Sequence, residues 1–368
     1  MFSTQDHDYM ARAMRLARRG LYTTDPNPRV GCVLARDGRI VGEGWHEVAG
    51  GPHAEVAALR AAGEAARGAT AYITLEPCCH QGRTPPCTGA LVAAGVARVV
   101  AAMEDPNPLM RGQGLRQCEE AGMAVASGLL QAQAEALNPG YVRRMRLGRP
   151  LVRCKLGMTL DGRTATAGGE SQWITGPEAR QDVQRLRARS SAVMTGIGTL
   201  LDDDPRLNVR IESSRQPVRV VVDSSLRTPP QATVLNGPGG VLIYCAEADR
   251  DRQAVLEARG ATIICTPAEE QVDLRAMLAD LARRQVNEVL LEAGATLAGA
   301  MVQAGLVDEL IVYMAPSLLG SAGRGLLNLD GIEHLAQAVE LEIADLRRVG
   351  RDWRITATVS GAETRMLY

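Results

Sequence analysis

The chain has 368 residues, with 41 Lys and Arg against 42 Asp and Glu for a net charge of −1, a length that suits two domains, each with its own core. Near-neutral charge excludes long-range attraction to phosphate backbones or anionic lipid, and 3 % aromatic residues leave few stacking surfaces for single-stranded bases. With no uninterrupted apolar run of about 18 residues, neither a membrane span nor a secretory signal is expected, and a small-molecule partner in the cytoplasm is the default. Eight cysteines in a chain this long do not make a disulfide framework, and Cys32, Cys118, Cys154, Cys245 and Cys265, each single among apolar residues, read as buried thiols.

Met10, Ala13, Met14 and Ala17 recur at the spacing of one helical face and predict a first helix. After the Asp25-Pro26-Asn27-Pro28 break, Val30 to Ala35 and Arg39 to Val41 read as strands around an Asp37-Gly38 turn, and Gly42 to His46 as a strand end or loop. Pro52 opens a helix from His53 to Ala62 that Gly63 stops. A strand follows over Ala69 to Leu75, then a proline-containing loop from Cys78 to Cys87, a helix over Thr88 to Ala94, a strand over Val96 to Met103 and a helix over Gly114 to Gly122. The basic run Arg143 to Pro150 reads as a solvated linker and places the domain boundary, giving domains 1–147 and 148–368.

Beyond the boundary, strands are expected at Leu151 to Leu156, Ala192 to Thr195, Val218 to Val222, Val241 to Cys245, Ala261 to Cys265, Glu288 to Leu291 and Glu309 to Met314. Helices are expected from Pro177, over Asp273 to Arg284 and over Thr296 to Ala304, and two polar-alternating strands, Val339 to Leu346 and Trp353 to Val359, close the chain. Such interleaving predicts an α/β architecture, a mainly parallel sheet covered on both faces with an antiparallel edge.

Chemistry concentrates at His53-Ala54-Glu55 and at Pro77-Cys78 with its returning Cys87. One imidazole and two thiols can hold Zn²⁺ and leave a fourth position for water, the mark of a catalytic rather than a structural site. Both thiols flank a helix start, where thiolate is favoured. Each residue alone has a plain reading as a core histidine, a buried thiol or a first-turn carboxylate, but together they match the His-x-Glu and Pro-Cys elements of zinc deaminases. Zinc brings the pKa of its water to about 7, and Glu55 is suited to move protons from water to a ring nitrogen and a departing amine. Cys79 is not counted as a ligand, because adjacent cysteines rarely chelate one tetrahedral ion.

Eight residues, Cys79 to Pro86, separate the two thiols, longer than the short Pro-Cys-x-x-Cys pattern. This loop, with Asn27 to Val33 and Gly50 to Glu55, resembles the bifunctional riboflavin-biosynthesis deaminase/reductase family. Lys155 to Arg163, Ser171 to Thr175, Thr195 to Pro205 and Glu292-Ala293-Gly294 extend the resemblance over nearly the whole chain. It implies a cytidine-deaminase-like zinc domain followed by a dihydrofolate-reductase-like domain, using Zn²⁺ and NADPH. The substrate would be 2,5-diamino-6-ribosylamino-4(3H)-pyrimidinone 5′-phosphate, deaminated hydrolytically and then reduced from ribosyl to ribityl. A homo-oligomer that binds neither nucleic acid nor membrane is the expected assembly.

By the same resemblance, Asn27, His46, His80, Arg83, Asp105 and Asn107 line the deaminase pocket; on their own they read as turn formers and surface polarity. Gly157, Trp173, Thr199, Asp203 and Gly294 to Ala300 (Gly294, Ala295, Thr296, Leu297, Ala298, Gly299, Ala300) are implied to contact NADPH, with Ser224 near the adenosine phosphate. Lys155, Ser171, Arg187, Leu207, Arg210 and Glu292 are implied to contact substrate, the arginines being permanently charged forks suited to a phosphate. No Gly-x-Gly-x-x-Gly follows a strand, so glycine spacing alone favours ordinary turns over a cofactor loop at Gly196-Ile197-Gly198 and Gly294 to Gly299, although each ends a predicted strand and the latter enters a helix whose N–H groups could hold a pyrophosphate. No single general acid is singled out for the reduction; Lys155, Asp203, Glu292 and water are candidates. The rival is a nucleoside or RNA deaminase whose second half is only a recognition module.

Overall fold

The computed structural model describes residues 1–80, 85–212, 215–268 and 270–360, and the chain divides into two compact units, Met1–Arg149 and Pro150–Tyr368. In the first, α1 (Thr4–Ala17) begins in a capping box: the Ser3 hydroxyl accepts from the Asp6 N–H while the Asp6 carboxylate accepts from the Ser3 N–H. Then come β1 (Gly31–Arg36), β2 (Arg39–Trp45), α2 (Ala54–Ala62), β3 (Thr70–Ile73), α3 (Cys87–Ala93), β4 (Arg98–Ala101), α4 (Gln113–Glu120), β5 (Ala124–Ser127), α5 (Gln131–Leu137) and α6 (Pro139–Leu147). Asp37 and Gly38, both at positive φ, turn β1 into β2. The sheet runs β2-β1-β3-β4-β5, antiparallel to β3 and parallel from there on.

Alternation along the strands feeds two cores. Val33 and Ala35 face Met10, Ala13 and Met14 of α1 and Leu137 and Tyr141 of α5 and α6; Cys32 and Leu34 face Ala54 and Ala58 of α2, Leu91 of α3 and Cys118 of α4. The glycines of β2, expected in a strand end or loop, lie inside the strand for a steric reason. A Cβ on Gly44 would stand 2.5 Å from both Ala54 O and Ala58 N, and one on Gly42 would stand 2.4 Å from Ala58 O. Their absence lets α2 lie directly on β2 and so fixes its N-terminal residues.

The basic run is not a solvated linker. Pro139 opens α6, which continues to Leu147, and Arg143 is buried together with Tyr141 and Val142. Those two apolar residues draw that face into the α1-side core, and the arginine is carried in with them.

The second unit contains β6 (Leu151–Thr159), β7 (Arg163–Ala165), α7 (Pro177–Arg189), β8 (Ala192–Gly196), α8 (Ile197–Asp203), β9 (Val218–Val222), β10 (Val241–Cys245), α9 (Arg250–Ala258), β11 (Ala261–Cys265), β12 (Pro267–Ala268), β13 (Gln271–Val272), α10 (Leu274–Arg283), β14 (Glu288–Leu291), α11 (Ala295–Gln303), β15 (Glu309–Ala315), β16 (Arg324–Gly325), β17 (Leu341–Val349) and β18 (Asp352–Val359). Its main sheet has the order β11-β10-β9-β8-β14-β6-β15-β18-β17. Pairing is parallel from β11 to β15 and antiparallel at β18 and β17.

Alternation again supplies a core on each face. Cys154 and Leu156 pack with Met277 and Leu281 of α10 and Met301 of α11, while Val193, Val221 and Leu290 pack with Val183 and Leu186 of α7 and Leu256 of α9. Buried Arg153 on β6 forks between Glu288 and Glu309, at 2.5 Å to each. One cysteine departs from expectation. Cys265 is exposed, because β11 is the edge strand and its last residue has no neighbour beyond it.

Candidate active sites

His53 is the N-cap residue of α2, and its extended backbone turns the imidazole toward the Cys78–Cys87 loop. His53 Nδ1 lies 3.2 Å from Cys87 Sγ and 3.5 Å from Cys78 Sγ, and one ligand atom from each of the three residues falls within 4.8 Å of the others. Among the described residues, no other group of His, Cys, Asp and Glu converges in this way. The Cys87 N–H at the start of α3 donates to Cys78 Sγ. A hydrogen bond from Cys87, then His53 and that N–H, hold the Cys78 thiol well below the ordinary thiol range, while the same contact with Cys78 raises Cys87. A histidine nitrogen and two sulfurs with a thiolate already favoured fit Zn²⁺ with an open fourth position. Glu55, in the first turn of α2, is 3 % exposed, and burial pushes its carboxyl up to about 7.

Around this group, buried His46 donates from Nδ1 to the Pro52 carbonyl and accepts at Nε2 from the Asn27 amide. A proline carbonyl can only accept, so this fixes the tautomer; burial lowers the His46 pKa, and the ring meets His53 edge-on. Asp105 accepts from the Asn107 N–H and the Tyr141 hydroxyl, each at 2.9 Å, and Asn107 accepts from the Leu109 N–H. His80 is exposed, and Arg83 lies outside the described residues.

Two residues here were not anticipated. Buried Glu76, directly before Pro77-Cys78, accepts from the N–H groups of Asp105, Gly112, Gly114 and Leu115, and so ties the Asp105–Asn107 turn to the cysteine loop. Its place in Leu75-Glu76-Pro77-Cys78 was the available signal. Tyr141 lies just before the run read as linker and offered none.

In the second unit Gly157 lies near the C-terminal end of β6, Thr199 just beyond β8 and Glu292 to Gly294 just beyond β14, the ends where open parallel sheets bind ligands. Gly196 and Gly294 are the N-cap residues of α8 and α11, and the Gly294 N–H donates to the Thr199 hydroxyl at 2.9 Å. Arg187 holds Glu292 in a two-pronged fork at 2.6 and 3.0 Å, with a third bond to the Asn208 carbonyl. Burial alone would raise Glu292, but Arg187, aided by Lys155 and Arg210, holds its carboxyl below the ordinary value.

Trp173 is 65 % exposed, beside an unanticipated Arg180 guanidinium 4.8 Å from its ring. Asp203 accepts from the Gln172 amide. Gly157 and Ser171 are half-buried and Thr296 is exposed. Ser224 uses its carbonyl to accept from Ala246 and Glu247. Three expected contacts are packed inward: Leu207 and Ala298 belong to the cores, and a Cβ on Gly299 would stand 1.9 Å from Asn328 O. The half-buried Ala295, Leu297 and Ala300 share α11 with them, and Arg210 is exposed. An exposed helix start after the central strand β14, with glycine at its cap, fits the pyrophosphate of NADPH.

Comparison with known proteins matches residues 3–103 to the cytidine and deoxycytidylate deaminase zinc-binding region and residues 150–355 to the RibD C-terminal domain. A riboflavin biosynthesis protein RibD of Escherichia coli strain K12 is 52 % identical over 361 residues, which cover 95 % of this chain and 98 % of that one. The chain belongs to the RibD family. The Haemophilus influenzae RibD is 48 % identical, with 98 % and 99 % covered. The structure of Acinetobacter baumannii RibD superposes with a TM-score of 0.90 at 45 % identity, covering 97 % of this chain and 99 % of that one. A Thermotoga maritima structure, described as a diaminohydroxyphosphoribosylaminopyrimidine deaminase/5-amino-6-(5-phosphoribosylamino)uracil reductase, gives 0.84 at 29 % identity, covering 96 % and 99 %. The protein is thus a bifunctional enzyme of riboflavin biosynthesis, a deaminase and a reductase acting on small molecules. Its two domains fit Zn²⁺ and NADPH, and a non-catalytic recognition module in the second half is not favoured. No helix among the described residues is long and apolar enough to cross a membrane.

Proposed function

We propose that residues 1–147 deaminate 2,5-diamino-6-ribosylamino-4(3H)-pyrimidinone 5′-phosphate and that residues 148–368 then reduce its ribosyl group to ribityl with NADPH. The convergence of His53, Cys78 and Cys87 beside buried Glu55 is the observation that carries this reading. Those three residues would hold zinc, which when bound would make water nucleophilic near neutral pH. Glu55 takes the proton from the attacking water, gives it to the ring nitrogen, and then protonates the departing amine. A carboxyl buried to 3 % exposure is suited to carry a proton in either direction. His46 and Asn27 position the Pro52–His53 segment and face the base, with Asp105, Asn107, His80 and Arg83 completing the pocket for base and ribose phosphate.

In the reductase half, Gly294 and the start of α11, with Gly157, Trp173, Thr199, Asp203 and Ser224, bind NADPH. Arg187 and Arg210 hold the ribose phosphate, with Glu292 orienting Arg187 through its fork and Lys155 and Ser171 shaping the site. Placing the aldehyde carbon against the cofactor and excluding water is most of what the protein must do there.

The enzyme works in the cytoplasm as a homo-oligomer and does not bind nucleic acid. Eight free cysteines, a net charge of −1 and the exposed Leu341, Ile343, Leu346 and Trp353 on the β17–β18 edge support these three statements. Incubation with the diamino substrate tests the order of events. Ammonia should appear without NADPH, and NADPH should be oxidised only after ammonia release; NADPH oxidation that precedes ammonia would reverse the two steps.

A further inference from the structure

Two cysteines that take no part in either activity stand together at the outer edge of the second unit's sheet. Cys245 ends β10, Cys265 ends β11, and they are direct partners in the parallel register, so both side chains leave the sheet on the same face. Their sulfurs are 3.0 Å apart. Neighbouring strands run about 4.8 Å apart, inside the Cα separation a disulfide accepts, so a bond forms without moving the backbone. Cys245 is fully buried and Cys265 is exposed. No third His, Cys, Asp or Glu among the described residues converges on the pair as His53, Cys78 and Cys87 converge on one another.

We propose that Cys245 and Cys265 are a redox modification site, oxidised by hydrogen peroxide to a reversible cross-strand disulfide. Exposed Cys265 meets the oxidant. Its thiolate attacks one peroxide oxygen, the O–O bond breaks, and hydroxide leaves and takes up a proton, so the sulfur becomes a sulfenic acid and the peroxide is reduced. The Cys245 sulfur then attacks the Cys265 sulfur; the S–S bond forms, the S–O bond breaks, and the thiol proton leaves with the hydroxide as water. Two thiols and one peroxide give one disulfide and two waters. Burial raises the Cys245 pKa to about 12, so it waits as a thiol and serves as the resolving partner. The bond would sit one residue before Ala246, whose N–H donates to the Ser224 carbonyl, beside the segment assigned above to the cofactor's adenosine phosphate.

The test is peptide mass spectrometry of the full-length, zinc-loaded enzyme after stoichiometric peroxide and alkylation of remaining thiols. The expected product is a cross-linked pair of peptides carrying positions 245 and 265, lighter than their sum by two hydrogens and separated by dithiothreitol. Cys245→Ser should instead leave Cys265 as its sulfenic or sulfinic acid, and Cys265→Ser should leave Cys245 a thiol. Wild-type enzyme that accumulates Cys265 sulfinic acid with Cys245 still alkylatable after unfolding, or in which neither residue reacts, overturns the proposal.

Discussion

Replacing Gly44 by alanine adds one methyl group at the contact that seats α2 on β2. The new Cβ would stand 2.5 Å from Ala54 O and from Ala58 N and 2.7 Å from Ala57 Cβ. The first two are backbone atoms, so no side chain can rotate away. Restoring an ordinary separation of about 3.5 Å requires α2 to retreat by roughly 1 Å. Overpacking of this kind costs about 1–3 kcal/mol, and His53 and Glu55, at the N-terminus of that helix, move with it. A 1 Å misplacement of catalytic groups costs about 10²-fold in rate. Ammonia release by Gly44→Ala should therefore fall about a hundredfold, with a lowered unfolding midpoint for the first unit, while NADPH oxidation on separately prepared deaminated substrate stays at the wild-type rate. Wild-type ammonia release from a Gly44→Ala protein of unchanged stability would refute the reasoning.

Two further outcomes follow from paired charges. Burial alone would raise the Asp6 carboxyl, but hydrogen bonds from the Ser3 N–H, Tyr72, the Ser3 hydroxyl and Arg98 outweigh it and hold the folded pKa well below the usual carboxylate range. Its stabilising contribution is therefore complete above the unfolded value of about 4 and is lost as pH falls toward and through the folded value; thermal unfolding from pH 7 down to pH 3 should show a shallower acid decline for Asp6→Asn than for wild type, starting from a lower midpoint. Arg187→Met leaves Glu292 buried without its fork, so reductase efficiency should fall by about thirtyfold or more with ammonia release unchanged; equal loss of both activities would point to unfolding instead.

Legibility in the sequence followed how strongly local pattern and tertiary role agreed. Strands such as Val218–Val222 and Val241–Cys245 are continuous apolar runs, and a parallel sheet with both faces covered asks for such runs. The zinc constellation was legible because each of its residues has a chemical signature at fixed spacing, and the structure brings His53, Cys78 and Cys87 together. Arg143 misled because its burial is a tertiary fact: Tyr141 and Val142 carry it inward. α8 was hidden by its glycines and by a length of seven residues, and α9 by an outward face so polar that only Leu256 is buried. Glu76 was missed because its partners are backbone N–H groups up to 39 positions away, which no side-chain pattern marks. Cys265 was misread because strand order, not composition, makes β11 an edge.

The division of labour rests on Glu55, and one substitution addresses it directly. Glu55→Gln keeps the size of the side chain and leaves His53, Cys78 and Cys87 in place, so bound zinc, measured by metal analysis, should remain at the wild-type stoichiometry. Ammonia release from the diamino substrate should fall by about 10²-fold or more, and NADPH oxidation on the deaminated substrate should be untouched. Ammonia release at the wild-type rate from zinc-replete Glu55→Gln enzyme would contradict the assigned proton transfer and, with it, the reading of the site.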